Sequence, residues 1–366
     1  MKKFALVIIS ALLIYSCSSR KVIEKQEPEI KRDSVVVEKT RTLQVTFEIQ
    51  KSTTNSSLRG ISVVDSLTAW ASGAKGTILR TTDGGITWQS SKVKGYETLD
   101  FRDIEAFDKN NAIVMCIDAP ALFFKTTDGG KSWKRKYMNR NPKIFFNGMA
   151  FWDSKSGIAF SDPIDDRFFI VVTNDGGEIW KEVPQINIPP VQKNEKGFAA
   201  SGTSISVEGK DLVWFGAGGT EKTKIYFSQD AAKNWRTVEA PIKNGNPSSG
   251  VFSISFRDDL YGVAVGGDYK NDKNKDGNCA ITDDGGLNWQ PVSSSGPVGF
   301  RSSVAWNPIH KYFLTTGTSG SDYSLDDGKT WNAINTKSYN SVGISKKDGT
   351  CFVVGDGGAI AKVINN

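Results

Sequence analysis

The 366-residue sequence predicts an all-β fold, a single propeller of seven four-stranded antiparallel blades. Three observations lead to this prediction: a short motif that recurs at a regular spacing, short β-rich segments between its copies, and one more such segment near the N-terminus. Self-similarity at a period of about 40 to 55 residues is typical of repeat architectures. Four short strands in each repeat are typical of a propeller blade.

The recurring segment reads TTDGGITW at 81–88, and we call it the turn motif. The other copies are TTDGGKSW at 126–133, TNDGGEIW at 173–180, SQDAAKNW at 228–235, TDDGGLNW at 282–289 and SLDDGKTW at 324–331. A glycine pair permits positive φ in a tight turn, and an aspartate accepts hydrogen bonds from the N–H groups of its own turn. We therefore predict that the motif joins the third and fourth strands of a blade and that its tryptophan packs between blades. Its aspartates are predicted to be structural rather than catalytic: Asp83, Asp128, Asp175, Asp230, Asp284 and Asp326.

The first repeat shows the four strands of one blade, separated by Gly, Asp and Ser. They are the β-rich runs at 60–65, 68–72, 77–81 and 87–91. After the last copy of the motif, residues 341–363 supply only three strands. Residues 43–50 (LQVTFEIQ) alternate apolar and polar side chains, so we predict that they complete the last blade as its outer strand. Such closure removes the exposed sheet edges.

Residues 1–16 are predicted to be a lipoprotein signal peptide. Two lysines precede an apolar run at 4–14, which is too short to span a bilayer as a helix. The sequence IYSC that ends at Cys17 resembles a bacterial lipobox, which implies cleavage before Cys17 and a diacylglycerol on its sulfur. The alternative is a plain signal peptide followed by a chance cysteine.

The rest of the chain divides into two parts. Residues 17–42 mix both charges and are predicted to be a flexible tether, and residues 43–366 are predicted to be the propeller. We expect a lipid-anchored protein of the bacterial cell envelope, and Ser18 is compatible with the outer membrane. Either side of that membrane fits the pattern.

Composition excludes several function classes. The net charge of +6 is spread along the chain without a basic stripe, so no nucleic-acid partner is expected. His310 is the sole histidine, which argues against histidine-based zinc sites and catalytic pairs. We expect no cofactor other than a possible calcium ion, and a monomer. The cysteines of the propeller are expected to be buried free thiols: Cys116, Cys279 and Cys351.

A candidate ligand site lies on the face opposite the turn motifs, where the loops joining second to third strands and one blade to the next should meet. Residues 161–167 are predicted to form one such loop. In the alignment of the innermost strands, Arg59, Arg102 and Arg301 occupy equivalent positions, and Asn340 is their counterpart in the intervening blade. Arginine suits bidentate capture of a carboxylate or phosphate. We therefore predict that these residues form an anion-recognition rim at the channel mouth.

The alternative is that each arginine pairs with a neighbouring carboxylate, such as that of Asp103, Asp118 or Asp162. Asp118 and Asp162 are also the candidate catalytic residues, because a carboxylate pair in a cleft is what glycoside hydrolysis requires.

A candidate calcium loop begins at Asp272. Asp272, Asn274 and Asp276 fit the spacing D-x-N-x-D-G of calcium-binding loops. No flanking helices are predicted, so the alternative is a hydrophilic hairpin tip.

The repeats also carry a family resemblance. GAKGTILRTTDGGITW and GISVVDSLTAWASG resemble the photosystem II assembly and stability factor family, and the turn motif matches its Asp-box, S-x-D-x-G-x-T-W. The resemblance implies a seven-bladed propeller, in some members lipid-anchored, that binds a membrane-protein subunit and has no known catalysis. It suggests Arg59, Arg80 and Arg102 as counterparts of an arginine patch.

The sialidase superfamily is a more distant resemblance. Sialidases have six blades and a Phe-Arg-Ile-Pro signature, whereas this chain has Phe-Arg-Asp-Ile at 101–104 and no assignable Tyr–Glu pair.

The sequence thus predicts a non-catalytic, lipid-anchored envelope propeller. It would act as a binding or assembly scaffold for an envelope protein or an acidic ligand, through its loop face. The alternative is a glycoside hydrolase that uses the arginine rim and a carboxylate pair.

Overall fold

The computed structural model describes residues 43–292 and 294–366, so the predicted signal peptide, the tether and Cys17 lie outside the described residues. Within those ranges the chain forms 28 β-strands and four short 3-10 helices. The strands form seven four-stranded antiparallel sheets arranged in a ring, which confirms the predicted fold and blade number. No helix in this part of the chain is long and apolar enough to cross a bilayer.

The first three blades follow one another along the chain. Blade 1 contains β2 (Leu58–Val63), β3 (Ala69–Gly73), β4 (Thr77–Thr81) and β5 (Gln89–Ser91). Blade 2 contains β6 (Phe101–Ala106), β7 (Ala112–Cys116), β8 (Ala121–Thr126) and β9 (Lys134–Asn139). Blade 3 contains β10 (Phe146–Phe151), β11 (Gly157–Ile164), β12 (Arg167–Thr173) and β13 (Lys181–Glu182).

The remaining blades repeat this order, and blade 7 takes its outer strand from the N-terminal side. Blade 4 contains β14 (Ile205–Glu208), β15 (Leu212–Ala217), β16 (Lys224–Ser228) and β17 (Arg236–Glu239). Blade 5 contains β18 (Ser249–Phe256), β19 (Gly262–Asp268), β20 (Cys279–Thr282) and β21 (Gln290–Pro291). Blade 6 contains β22 (Ser303–Asn307), β23 (Tyr312–Gly317), β24 (Gly320–Ser324) and β25 (Asn332–Asn335). Blade 7 contains β26 (Ser341–Ile344), β27 (Cys351–Val354), β28 (Ile360–Asn365) and β1 (Val45–Gln50). The 3-10 helices are Gln185–Asn187, Gly202–Ser204, Tyr269–Asn271 and Asp356–Gly358.

The first strand of each blade lies innermost and contacts the first strand of the next blade, with β26 contacting β2. Strand β1 closes the ring by pairing with β28 in antiparallel register, from Val45 opposite Asn365 to Gln50 opposite Ile360. Val45 is buried and Phe47 packs against the same core cluster, whereas Ile49, further along the same face of the strand, is 65% exposed. The predicted closing strand is confirmed.

The core lies between the blades, and the turn-motif tryptophans contribute to it. Trp88 of blade 1 packs edge-on against Phe352 of blade 7, with ring centroids 5.6 Å apart. Trp133 of blade 2 packs in the same way against Trp70 of blade 1, at 6.2 Å. The prediction that these tryptophans pack between blades is confirmed.

Each turn motif is held by its own side chains. In the first copy, the Thr81 hydroxyl donates to Asp83 at 2.8 Å and accepts from the N–H of Gly85 at 2.9 Å. The N–H and hydroxyl of Thr87 donate to the two carboxylate oxygens of Asp83 at 2.9 and 2.6 Å. In all six copies, the hydroxyl of the first motif residue donates to the aspartate. The carboxylate of that aspartate accepts from the N–H of the residue four positions after it. These carboxylates are therefore used within their own turns.

The fourth copy keeps this geometry without glycine. Ala231 and Ala232 have φ of 57° and 65°, where the first copy has Gly84 and Gly85 at 76° and 92°. An alanine Cβ is strained in this left-handed region. This turn, which lacks glycine, is thus maintained by its hydrogen bonds and by the surrounding blade.

One predicted loop is wrong. Residues 161–167 do not form an open loop, because β11 and β12 remain paired to Ile164 opposite Arg167 around a bulge. The connection is a tight turn at Asp165 and Asp166.

The three described cysteines are buried free thiols, as expected: Cys116, Cys279 and Cys351.

Candidate functional site

The central channel opens into a cavity at each end. The cavity of about 510 Å³ lies on the face formed by the loops between second and third strands and between blades, and we call it the loop-face cavity. It is lined by Arg59, Arg102, Phe145, Asp162, Lys196, Gly197, Phe198, Ala199, Ala200, Phe252, Tyr269, Phe300, Ser302, Thr318, Asn340 and Asp356. The other cavity, of about 590 Å³, lies on the face of the turn motifs.

Bulges at the start of the inner strands orient side chains towards the channel mouth. The pairing of the first two strands skips one residue in each of four blades: Arg59, Arg102, Asn147 and Phe252. A bulge leaves the extra residue unpaired and changes the direction of its side chain. Three of these residues line the loop-face cavity, and the fourth, Asn147, binds a residue that lines it.

Residues 198–204 cross the channel between the two cavities, and we call this segment the channel plug. Arg102 Nη1 donates to the Ala199 carbonyl at 3.1 Å. Arg59 Nη1 donates to the Ala200 carbonyl at 3.2 Å. The two predicted rim arginines therefore hold the plug from blades 1 and 2.

The plug is also held by blade 6. The Ser201 hydroxyl donates to the Ser302 carbonyl at 2.8 Å, and the Thr203 and Ser303 hydroxyls lie 2.8 Å apart. When the inner strands are aligned by sequence, that of blade 4 is predicted to begin at Ala200. In the structure it begins at Ile205, because the preceding residues form the plug.

Arg59, Arg102 and Lys196 carry the positive charge of the cavity lining. Arg102 Nε forms an ion pair with Asp100 Oδ2 at 2.8 Å, and both side chains are 28% exposed. Burial and the charge of Arg102 lower the pKa of Arg59, while Asp356 and Asp100 act in the opposite direction.

The acidic residues of the cavity are held by neutral donors. Asp162 accepts from Asn147 Nδ2 at 2.8 Å and from the N–H of Gly197 at 2.9 Å, and burial raises its pKa. Asn340 Nδ2 donates to Asp356 Oδ1 at 3.0 Å, so Asn340 orients a carboxylate at the rim.

The other side of the cavity is aromatic. Phe252 stacks on Phe198 with centroids 3.9 Å apart, and Phe300 meets Phe252 edge-on at 4.7 Å. Tyr269 lies 6.1 Å from Phe252 and is 44% exposed. We call these four residues the aromatic wall.

Arg301 does not join this rim, so that part of the prediction is wrong. Its side chain is 1% exposed and is not among the lining residues. Nε donates to Asp322 Oδ2 at 2.7 Å, and Nη1 donates to the Phe300 carbonyl at 2.8 Å and to Ser319 Oγ at 2.9 Å. The alternative prediction, that each arginine pairs with a carboxylate, is correct for Arg301, but the partner is Asp322.

A sequence signal for this pair exists at Asp322. The residue lies two positions before the turn motif, where the other copies have apolar or aromatic residues: Leu79, Phe124, Val171, Tyr226 and Ala280. A carboxylate in that buried strand requires a cation, and Arg301 supplies it.

The candidate catalytic pair is not assembled in the cavity. Asp162 lines the cavity, whereas Asp118 is exposed and lies outside the lining. Their two chain segments do meet, because Asp118 bridges to Phe145 and the N–H of Asp162 donates to the Phe145 carbonyl at 2.8 Å.

Arg80 also lies away from the cavity. It donates to the Lys109 carbonyl at 2.9 Å and to Gln89 Oε1 at 3.2 Å, and its guanidinium lies 5.4 Å from the Trp70 ring centroid. It therefore joins blades 1 and 2 through the Lys109 carbonyl, while Gln89 and Trp70 belong to its own blade.

The candidate calcium residues make local contacts. Asp272 Oδ2 accepts from the Thr318 hydroxyl at 2.8 Å, and Asn274 Oδ1 accepts from the N–H of Asp276 at 3.1 Å. Among the described residues, no group of three or more His, Cys, Asp or Glu side chains is placed to hold a metal ion. Calcium binding stays a prediction.

The inner strand of blade 2 carries two neighbouring carboxyl groups, and one of them, that of Glu105, lines the second cavity. Asp103 accepts from the N–H of Ile104 at 2.8 Å and of Met149 at 2.7 Å, and burial raises its pKa well above the usual range. Glu105 lines the cavity, and burial raises its pKa to about 7, against an opposing effect of Lys346.

Sequence reasoning missed the plug, the bulges and the aromatic wall. The phenylalanines at 252 and 300 stood in the same alignment as the arginines, at the start of inner strands. They could have been found by asking which side chains face the arginines across the ring.

These features can be set beside known proteins. A family model described as "Photosynthesis system II assembly factor YCF48" matches residues 39–144, which is less than half of the chain. The chain is a seven-bladed propeller that resembles this assembly factor. No curated protein matches the chain in sequence.

Solved structures share the fold at low sequence identity. "YCF48 bound to D1 peptide" is 17% identical with a TM-score of 0.62, over 87% of this chain and 97% of that chain. YCF48 from Cyanidioschyzon merolae is 18% identical with a TM-score of 0.58, over 87% and 98%. The GH74 xyloglucanase from Xanthomonas campestris is 14% identical with a TM-score of 0.61, over 87% of this chain and 53% of that chain.

Proposed function

We propose that this protein is a lipid-anchored propeller of the bacterial cell envelope that binds a protein partner, as a scaffold, through the loop-face cavity. The observation that carries the proposal is the convergence of Arg59 and Arg102 with the aromatic wall in one open cavity. Charged and aromatic groups that converge in a concave site are typical of specific binding.

The comparisons support a protein partner. One propeller of the same fold is YCF48 bound to a D1 peptide, and the matching family model describes an assembly factor. The proposal extends this peptide-binding role to the present chain, with an envelope protein as its partner.

The site geometry favours binding over glycoside hydrolysis. A hydrolase of this class requires two carboxyl groups flanking the scissile bond. Asp162 is tied to Asn147 and Gly197, and its predicted partner Asp118 lies outside the cavity. The other carboxylate of the lining, that of Asp356, accepts hydrogen bonds from Ser57 and Asn340. The hydrolase remains the alternative, and release of reducing sugar from xyloglucan or of sialic acid from sialosides would support it.

Photo-crosslinking in the native host tests the binding role. A photoreactive amino acid at Thr318, which is exposed and lines the loop-face cavity, should capture a defined protein species. The matched control is Ile86, which is 78% exposed on the opposite face. Capture from Ile86 equal to that from Thr318, or from neither position, would contradict the proposal.

The anchor is tested separately. A Cys17→Ser variant should move from the membrane fraction to the soluble fraction, because several acyl chains are needed for stable anchoring. Unchanged membrane association would contradict the lipid anchor without affecting the binding role.

A further inference from the structure

The lining of the loop-face cavity is divided by chemistry. Arg59 and Arg102, from blades 1 and 2, contribute the cationic side, and Lys196 adds a third cation beside the Phe198 ring. Phe252, Phe300 and Tyr269, from blades 5 and 6, contribute the aromatic side. An occupant that fills the cavity therefore meets a charged surface and an apolar surface at once.

The two guanidiniums of the cationic side have unused N–H donors. A guanidinium carries five N–H donors. Among the described residues, Arg59 donates one hydrogen bond, to Ala200, and Arg102 donates two, to Asp100 and Ala199. The two like charges are also close enough for Arg102 to lower the pKa of Arg59. An anion placed between the two guanidiniums would use the remaining donors and offset this repulsion.

The aromatic side offers the exposed ring of Tyr269, which is backed by three buried phenylalanines. Phe198, Phe252 and Phe300 are packed against one another and buried, and Tyr269 covers their edge while remaining 44% exposed. Tyrosine is enriched among the residues that contribute most to binding at protein interfaces. The cavity volume of about 510 Å³ lies within the range of specific ligand sites, which is roughly 300 to 1,000 Å³.

Nearby carboxylates restrict how much negative charge fits. Asp162 and Asp356 line the same cavity, so a run of several acidic groups would meet repulsion. One carboxylate beside one apolar group satisfies all three parts of the lining.

We propose that the cavity recognises a peptide segment in which one acidic side chain stands next to one aromatic side chain. The carboxylate would bind Arg59 and Arg102, and the ring would pack on the aromatic wall. This inference rests on the proposed function and specifies the part of the partner that the cavity reads.

The test uses four probe peptides and ligand-observed NMR with the full chain. The probes are acetyl-Gly-Phe-Glu-Gly-amide, its Phe-to-Ala and Glu-to-Gln analogues, and its Glu-to-Lys analogue. We expect the first to bind most tightly. The Phe-to-Ala and Glu-to-Gln analogues should each bind at least about tenfold more weakly, because the first loses the aromatic ring and the second loses a charge-assisted hydrogen bond. Glucuronate, an acidic sugar without an aromatic ring, should bind no better than the Phe-to-Ala analogue.

Protein variants then assign the two halves of the site. Tyr269→Ala should weaken the Phe-Glu probe but leave the Phe-to-Ala analogue unchanged. Arg102→Gln should weaken the Phe-Glu probe but leave the Glu-to-Gln analogue unchanged. Because Arg102 also holds the plug, its variant is accepted only with an unchanged melting temperature. If that condition fails, Arg102→Lys is used, which keeps the charge but loses the planar fork.

Several outcomes would overturn the inference. Equal binding of the Phe-Glu probe and its Glu-to-Gln analogue would show that the carboxylate is not recognised. Tighter binding of the Glu-to-Lys analogue would show that the site binds a cation through Asp162 and Asp356. Preference for glucuronate would assign it to a glycan. If Thr318 captures a partner while no probe binds, the inference fails and the proposed function stands; if Thr318 captures none, the proposed function fails.

Discussion

The buried ion pair of Arg301 gives a prediction whose size follows from its contacts. Arg301 and Asp322 are each 1% exposed, and the guanidinium also serves Ser319 Oγ and two main-chain carbonyls. Removing one partner of a buried pair leaves an uncompensated charge, which destabilises a fold by about 3–5 kcal/mol. We therefore expect Arg301→Met to lower the free energy of unfolding by about that amount.

The double variant Arg301→Met/Asp322→Leu should recover much of this loss, because no buried charge remains. It should not recover all of it, since the carbonyls of Phe300 and Val298 and the Ser319 hydroxyl lose donors worth roughly 1 kcal/mol each. Urea-induced unfolding of the wild type, both single variants and the double variant completes a thermodynamic cycle.

The cycle has a matched control and a clear refutation. The Lys143–Asp165 pair is 61% and 79% exposed, so Lys143→Met should change stability by less than about 1 kcal/mol. Additivity of the two core substitutions within about 0.5 kcal/mol would refute the buried pair, because uncoupled residues behave in that way. Since Arg301 does not line the loop-face cavity, a folded double variant should also retain probe binding.

Three further predictions concern stability. Ala231→Gly should raise the free energy of unfolding by about 1 kcal/mol, because residue 231 has φ of 57°. The control, Ala333→Gly in β25, should lower the free energy of unfolding. Shifts of the same sign in the two variants would contradict the strained turn. Val45→Ala should lower the free energy of unfolding by about 2 kcal/mol, because Val45 is buried in the ring closure. Ile49 is 65% exposed on the same strand, so Ile49→Ala should change the free energy of unfolding by less than about 0.5 kcal/mol. Equal effects of the two substitutions in denaturant unfolding would contradict the closure. Burial raises the pKa of Glu105 from 4.5 to about 7, so the folded state holds this proton at pH values where the unfolded chain has released it. Stability should therefore fall as pH rises from about 4.5 to 7, by at most about 3 kcal/mol, and Glu105→Gln should remove this contribution; unchanged pH dependence in the variant would count against the buried carboxyl.

The sequence by itself determined the number of blades, their strand order and the closing strand. It did so because each turn motif is a local structure: Thr81, Asp83 and Thr87 lie within seven residues and bond to one another. Local chemistry repeated in phase defines the blades. The leftover strand at the N-terminus then has one unpaired edge to complete, that of β28.

The sequence also placed Arg59, Arg102 and Arg301 at equivalent positions, but only the tertiary structure decided what each guanidinium does. Their partners lie far away along the chain: Arg59 reaches Ala200, 141 residues on, and Arg102 reaches Ala199, 97 residues on. Arg301 instead meets a carboxylate in its own blade. The free energy of a charge depends on its burial and on the groups around it, and these are known only once the ring has closed around the channel plug.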